Sequence, residues 1–174
     1  MKVIFLDIDG VLNCQASKAR CEEFVGIDTA KVRLLRKLVE NTGAVIVLTS
    51  TWKKHWNKRD HFDKYMHNKF GKEHIEVFSC TDGDMYKRGT GIHDWLKEHE
   101  VESWVVLDDE IFGDYDRPIF ERLVKTEWYD DNGGIHEEHI ELAIKILNDK
   151  FIQNNTEYTV PDEFVHAGLS DYSD

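Results

Sequence analysis

The chain has 174 residues, a formal net charge of −12 and 41% apolar residues, which predicts one domain with a full hydrophobic core. The acidic balance argues against a surface that coats nucleic acid, although it leaves room for a local basic patch. No apolar run is long enough for a signal peptide or a membrane span, and the three cysteines match no common zinc pattern. We therefore expect reduced thiols and a cytoplasmic protein.

The first predicted element is an apolar strand that ends in two carboxylates. Residues 3–6 are large, with β-branched and aromatic members, which is typical of a strand buried on both faces. Asp7 and Asp9 are spaced by two, so in extended backbone they point to the same site, and Gly10 lets the chain turn away. Paired carboxylates repel each other unless a cation or a shared proton offsets them. The alternative is a strand that runs into an acidic turn.

A helix and a second strand follow. Residues 12–27 show no clean period and are predicted to form a loop or a small flap. Asp28 has the residue type of an N-cap, and an apolar stripe continues to a stop signal at Gly43. Residues 44–48 form a second continuous apolar run, which predicts another buried strand.

Two hydroxyl residues, Thr49 and Ser50, end this second strand. A hydroxyl at the end of a central strand is suited to donate a hydrogen bond to a phosphoryl oxygen. Ser50 or Thr51 would serve equally well as a helix N-cap. The pattern alone leaves these two interpretations open.

Residues 52–74 are predicted to be helical and are locally basic, with aromatic residues and four histidines interleaved. Basic and aromatic groups beside a phosphate site would hold a nucleotide or a strand end through charge and stacking. The other interpretation is a solvated helix face with its aromatic residues, such as Trp52 and Trp56, in the core. We favour packing, because aromatic residues at i and i+4 more often pack against a core than form a platform.

Two basic residues, Lys87 and Arg88, open the next predicted helix, after a short strand at residues 75–78 and a polar loop. Basic side chains beside a helix N-terminus form an anion site, because the first N–H groups of the helix are unpaired. In isolation, the simpler interpretation is a surface pair of basic residues.

A fourth apolar strand, residues 104–107, ends in a second acidic pair, Asp108 and Asp109. In a parallel sheet its carboxyl end lies beside that of the first strand, where this pair would complete a Mg2+ site made of oxygen ligands. A charged turn is the alternative interpretation.

The remaining chain completes an alternating pattern. A fifth strand is predicted at residues 122–126, followed by Glu127, to which we assign no role, and by a closing helix at 136–148. The alternation predicts an α/β fold, a doubly wound (Rossmann-like) parallel sheet of about five strands whose active site lies at the strands' carboxyl ends. We expect one domain over residues 1–149 and a C-terminal tail or accessory segment over 150–174.

These motifs, in this order, resemble those of the haloacid-dehalogenase (HAD) superfamily of phosphohydrolases. The Asp-x-Asp-Gly-Val-Leu-Asn string resembles the first motif, and the other three fall at the strand ends and at the basic helix start. The helix that begins near Arg88 resembles small HAD domains of nucleic-acid end-repair proteins. The resemblance implies that Asp7 is the nucleophile and Asp9 the general acid/base. It also implies that Thr49 or Ser50, together with Arg88 or Lys87, binds the phosphate. Mg2+ would be held by Asp7, the Asp9 backbone carbonyl, and Asp108 or Asp109.

The gaps between the motifs are too short for a large HAD-like cap, so we expect an open site that admits large substrates. The resemblance then implies a Mg2+-dependent phosphomonoester hydrolase with an aspartyl-phosphate intermediate. We expect it to act on a nucleotide or on a terminal phosphate at a single-stranded nucleic-acid end. The alternatives are a small-metabolite phosphatase closed by a partner subunit or by the tail, a phosphomutase, and a non-catalytic phosphate-binding domain. The oligomeric state is left open.

Overall fold

A computed structural model describes residues 1–148 of the chain. Its centre is a five-stranded sheet with the order β5-β4-β1-β6-β7, and every neighbouring pair is parallel. The predicted α/β fold, with a doubly wound parallel sheet and no large cap, is confirmed. The strands are β1 (Lys2–Leu6), β2 (Arg20–Cys21), β3 (Phe24–Val25), β4 (Val45–Leu48), β5 (Val77–Cys80), β6 (Ser103–Asp108) and β7 (Leu123–Lys125).

Helices cover both faces of this sheet. They are α1 (Thr29–Thr42), α2 (His61–Lys72), α3 (Arg88–Lys97), α4 (Arg117–Phe120) and α5 (Glu137–Asn148), with a 3-10 helix over Thr51–His55. None of the helices in residues 1–148 combines the length and the apolar character that crossing a membrane requires.

Alternation along the central strand creates two hydrophobic clusters. In β1, Ile4 and Leu6 face a cluster that also contains the apolar stripes of α1, α2 and α5. Val3 and Phe5 point to the opposite face, where they pack with α3 and α4. Because successive side chains of a strand point to opposite faces, a continuous apolar run is what a strand covered on both sides requires.

The strand order places the site. From β1 the chain moves outwards to β4 and β5, then returns to the other side of β1 for β6 and β7. In an open α/β sheet, this reversal leaves a crevice at the carboxyl ends of the two strands that flank it. Here those strands are β1, which is followed by the first acidic pair, and β6, which ends within the second.

The prediction of one helical segment over residues 52–74 is wrong, because the helical structure is interrupted between residues 55 and 61. The 3-10 helix ends at His55, and α2 begins only at His61. Asn57 and Arg59 adopt left-handed backbone conformations (φ 61° and 62°) that no helix accommodates. Asp60 then caps α2, because its side chain accepts a hydrogen bond from the Asp63 backbone N–H at 2.9 Å.

Smaller differences concern the third strand and the first loop. The strand predicted at residues 75–78 lies at Val77–Cys80, because the Ile75 N–H donates to the Phe70 carbonyl at the end of α2. The predicted loop or flap over residues 12–27 contains a short antiparallel hairpin made of β2 and β3. The proposed domain boundary at residue 149 and the segment 150–174 lie outside the described residues.

Candidate active site

Asp7 lies at the end of β1, where the chain leaves the sheet. Its backbone N–H still donates to the Leu107 carbonyl at 2.9 Å, which fixes it beside β6. The side chain is buried, and its Oδ1 atom lies 3.1 Å from Arg88 Nη1. This contact is an ion pair without hydrogen-bond geometry, so no donor in the described residues is aligned on Oδ1.

Asp9 faces the same cavity and is held at both carboxylate oxygens. Asn13 Nδ2 donates to Oδ1 at 2.9 Å, and the indole Nε1–H of Trp52 donates to Oδ2 at 2.8 Å. Burial raises the pKa of Asp9, and these two hydrogen bonds oppose that effect by stabilising the charged form. The carboxyl group is therefore fixed in orientation, and its pKa lies above the ordinary value of an aspartate.

Arg88, the first residue of α3, is buried between carboxylates of both acidic pairs. Its Nη1 atom donates to Asp108 Oδ2 at 2.8 Å and contacts Asp7, and its guanidinium lies over the Phe112 ring at 4.3 Å. Burial alone would lower the pKa of Arg88, but the charges of Asp7 and Asp108 raise it above its ordinary value. Lys87 occupies the N-cap position of α3 and is exposed. Of the two predicted phosphate ligands, Arg88 is the one brought to the carboxylates.

The second acidic pair has two different environments. Asp108 is completely buried, and its oxygens accept hydrogen bonds from Arg88, from the Tyr115 hydroxyl at 2.9 Å and from the Glu110 N–H at 3.0 Å. Burial and the charge of Asp7 raise the pKa of Asp108. Asp109 instead lines the cavity, where burial and neighbouring negative charges raise its pKa to about 8.

The donor set of this cluster fits a divalent cation. Asp7, Asp108 and Asp109 each offer a carboxylate oxygen, and these atoms lie within 4.8 Å of one another. Mg2+ prefers such hard oxygen ligands, and a cation between them would offset the repulsion that raises the pKa values of Asp108 and Asp109. The buried Oδ1 of Asp7 supports the same conclusion, because apart from the ion pair with Arg88 it accepts no hydrogen bond in residues 1–148, which is rare for a buried carboxylate oxygen.

The two hydroxyl residues after β4, Thr49 and Ser50, make different contacts. Ser50 Oγ accepts from the Trp52 N–H at 3.3 Å and so caps the 3-10 helix. The buried Thr49 Oγ1 has no hydrogen-bond partner in residues 1–148. Thr49 therefore has an unused hydroxyl, whereas Ser50 Oγ is used by the backbone; both residues are fully buried, and neither is among the residues that line the cavity described below.

Several residues that support the site were not assigned a role from the sequence. Asn13 and Trp52 hold Asp9, and Tyr115 holds Asp108. Thr126 Oγ1 donates to the Gly10 carbonyl at 2.5 Å and so fixes the turn after the first acidic pair. Asn13 stands inside the first motif, which is the one sequence signal that pointed to any of them.

A cavity of about 740 Å3 opens over these groups. Asp7, Asp9, Arg88 and Asp109 form part of its lining, together with several aromatic side chains. The volume falls within the range of about 300–1,000 Å3 that ligand pockets span. Three of the four carboxylates, Asp7, Asp9 and Asp109, thus meet Arg88 at a cavity large enough for a nucleotide, while Asp108 is buried beneath it and does not line it.

Comparison with known proteins identifies one family. A family described as the HAD domain in Swiss Army Knife RNA repair proteins matches residues 3–140. No curated protein and no solved structure gave a significant match.

Proposed function

The chain belongs to the family of HAD domains in Swiss Army Knife RNA repair proteins, and from this premise we propose that it is a Mg2+-dependent phosphomonoester hydrolase. It acts through an aspartyl-phosphate on the terminal phosphate of a nucleotide or polynucleotide. The observation that carries the proposal is the meeting of Asp7, Asp9, Arg88 and Asp109 at one cavity. A site that only bound phosphate would have no need of paired carboxylates, since these repel the ligand.

Asp7 is the nucleophile. Its carboxylate attacks phosphorus, so that a bond forms between the Asp7 oxygen and phosphorus while the bond to the leaving oxygen breaks. Arg88, 3.1 Å from Asp7 Oδ1, offsets the negative charge of both the carboxylate and the incoming phosphoryl group. In the second step a water molecule displaces the Asp7 carboxylate and releases inorganic phosphate.

Asp9 moves the proton in both steps. It gives its proton to the leaving oxygen in the first step and takes one from the attacking water in the second. The hydrogen bonds from Asn13 and Trp52 hold the carboxyl group in one orientation throughout. Burial shifts the pKa of Asp9 upwards, which is the direction that a general acid requires.

The phosphoryl oxygens are bound by Arg88 and by the unpaired hydroxyl of Thr49. Asp7, Asp109 and the Asp9 backbone carbonyl would hold Mg2+. When bound, the ion neutralises charge on the phosphoryl oxygens and orients them for attack. Asp108 positions Arg88 through Oδ2, and as the third carboxylate of the cluster it would also contribute an oxygen to the metal site.

The open cavity and the family's association with RNA repair favour a nucleotide or a polynucleotide end as substrate. We place the reaction in the cytoplasm, because all three cysteines are unpaired, which suits a reducing compartment.

The test is Mg2+-dependent phosphate release from a panel of a 3′-phosphorylated RNA oligonucleotide, mononucleotides and a small sugar phosphate. Asp7→Asn removes the nucleophile, and Asp94→Asn, which changes an exposed carboxylate on α3, is the matched control. We expect release from the oligonucleotide that is lost in Asp7→Asn and kept in Asp94→Asn. Fast turnover of the sugar phosphate alone would favour the small-metabolite alternative. If nothing is hydrolysed in the presence of Mg2+, the proposal fails.

A further inference from the structure

Exposed aromatic side chains are concentrated at the mouth of the active-site cavity. Among residues 1–148, six large hydrophobic side chains are exposed, and three of them line this cavity. The three are Phe24, Tyr86 and Tyr129, with 51%, 74% and 80% of their surface exposed, and we call them the aromatic rim. Single exposed apolar residues are ordinary, whereas a group around one cavity indicates a binding surface.

The rim is built from three separate segments, of which those of Phe24 and Tyr129 contact distant parts of the fold and that of Tyr86 is held by a turn within its own loop. Phe24 belongs to β3, and its ring lies 5.7 Å from that of Phe62 in α2. Tyr86 precedes α3, and its N–H donates to Asp84 Oδ1 at 2.8 Å. Tyr129 follows β7, and its carbonyl accepts from the Gln15 side chain at 2.6 Å. The rings are thus open to solvent on backbones that are held in place.

The rim suits a flat, aromatic ligand that is attached to the phosphate. We infer that it stacks the unpaired base of the terminal nucleotide of a single-stranded RNA whose phosphate reaches Asp7. Bases stack well on exposed aromatic faces, and this binding tolerates any base because each has a π face. At the end of a duplex, the terminal base is held by its pairing partner and by stacking on its inner neighbour, so it is less free to enter the rim. The inference rests on the proposed function, which puts the phosphate at Asp7.

Charge at the same cavity limits how much of the strand is bound there. Glu23 and Glu110 line the cavity, while Lys54 and Arg88 are the cationic side chains among its lining residues. A long phosphate backbone would meet repulsion from these carboxylates. A single terminal nucleotide, bound through its base and its terminal phosphate, avoids this repulsion because the rest of the strand stays outside the cavity. The rim is therefore a specificity site for a single-stranded end rather than a track for a long strand.

The experiment compares two short single-stranded RNAs with the same 3′-phosphate, one with a base on the terminal nucleotide and one abasic there. The readout is the ratio of their kcat/KM values for phosphate release. We expect the wild-type protein to prefer the base-containing RNA by about 5- to 150-fold, which corresponds to one stacked base. Tyr86→Ala and Tyr129→Ala should each reduce this ratio, and Tyr86→Phe, which keeps the ring, should preserve it. Phe78→Ala, an exposed aromatic residue outside the cavity at 54% exposure, is the matched control and should also preserve it.

A wild-type ratio near one would overturn the rim inference while leaving the phosphatase proposal intact. Release from neither RNA would refute the phosphatase proposal, and the rim would then be judged by the affinity of the two labelled RNAs, measured by fluorescence anisotropy. Equal affinities would overturn it. A substrate panel with a blunt RNA duplex and a phosphotyrosine peptide separates the other occupants. Faster release from either of these than from the single strand would overturn the inference.

Discussion

Replacing Trp52 by phenylalanine should impair proton transfer specifically. The substitution keeps an aromatic ring against Phe62, whose centroid lies 5.5 Å from that of Trp52, but removes the Nε1–H that donates to Asp9 Oδ2 at 2.8 Å. Asn13 then holds Asp9 at one oxygen only. A hydrogen bond to a charged group contributes about 1.5–3 kcal/mol, which corresponds to roughly 10- to 150-fold in rate if it is lost in the transition state.

The leaving group separates this effect from a general loss of structure. A sugar hydroxyl leaves as a strongly basic oxygen and needs the proton from Asp9, whereas 4-nitrophenol leaves readily without it. Because kcat/KM covers steps only up to the first irreversible one, it reports phosphoryl transfer to Asp7. Trp52→Phe should therefore reduce kcat/KM for a nucleoside 3′-monophosphate by about 10- to 150-fold, and for 4-nitrophenyl phosphate by only a few-fold.

Trp95→Phe provides the control. Trp95 is as buried as Trp52, and its Nε1–H also donates a hydrogen bond, to Ser79 Oγ at 2.9 Å, but away from the carboxylates. We expect both tryptophan variants to show a small fall in melting temperature. Trp95→Phe should leave the ratio of the kcat/KM values for the two substrates unchanged. An equal loss on both substrates in Trp52→Phe, or the same pattern in Trp95→Phe, would refute the role given to the indole.

Four further predictions follow from single contacts. Gly10→Ala should abolish phosphate release, because the new Cβ would lie 2.1 Å from the Asp109 Cγ. Gly43→Ala, also at positive φ but with no atom within 4 Å, should lose about 1–2 kcal/mol of stability and keep activity. Asp63→Ala should reduce the free energy of unfolding by about 2 kcal/mol in urea titrations, since two backbone N–H groups lose an acceptor at 2.8 Å; an unchanged midpoint would contradict this. Arg88→Met should reduce the free energy of unfolding by about 3–5 kcal/mol in the same titrations, because it leaves buried carboxylates without their counter-ion. A variant as stable as the wild type would indicate that these carboxylates are already neutral. In thermal-shift measurements Mg2+ should raise the melting temperature of the wild type but not of Asp109→Asn, and an equal rise in both would place the ion elsewhere.

The sheet was predictable from the sequence because its strands are continuous apolar runs. Residues 3–6 and 104–107 lie on adjacent parallel strands, and the acidic pairs that follow them are brought together at one edge. Because the carboxyl ends of parallel strands lie at the same edge of the sheet, this meeting could be predicted without side-chain detail. The break between the 3-10 helix and α2 was missed, because a left-handed backbone at Asn57 and Arg59 leaves no clear mark in the pattern.

The choice between adjacent residues of like chemistry required coordinates. Thr49 and Ser50 both carry hydroxyls, and only the contact of Ser50 Oγ with the Trp52 N–H distinguishes them. The partners of Asp9 and Asp108 were equally hidden. Trp52 is 43 positions from Asp9 in sequence, and for its aromatic ring core packing, which it does provide, was favoured over stacking on a ligand.

The most direct test of Asp7 as the nucleophile is to trap the covalent intermediate on this residue. The protein is mixed with a 3′-phosphorylated RNA and Mg2+, quenched in acid and reduced with borohydride, which converts an aspartyl-phosphate to homoserine. Peptide mass spectrometry then identifies the modified residue. We expect homoserine at position 7 only when the substrate is present, and none in the Asp7→Asn variant. Phosphate release without any modification of Asp7, or modification at another carboxylate, would contradict it.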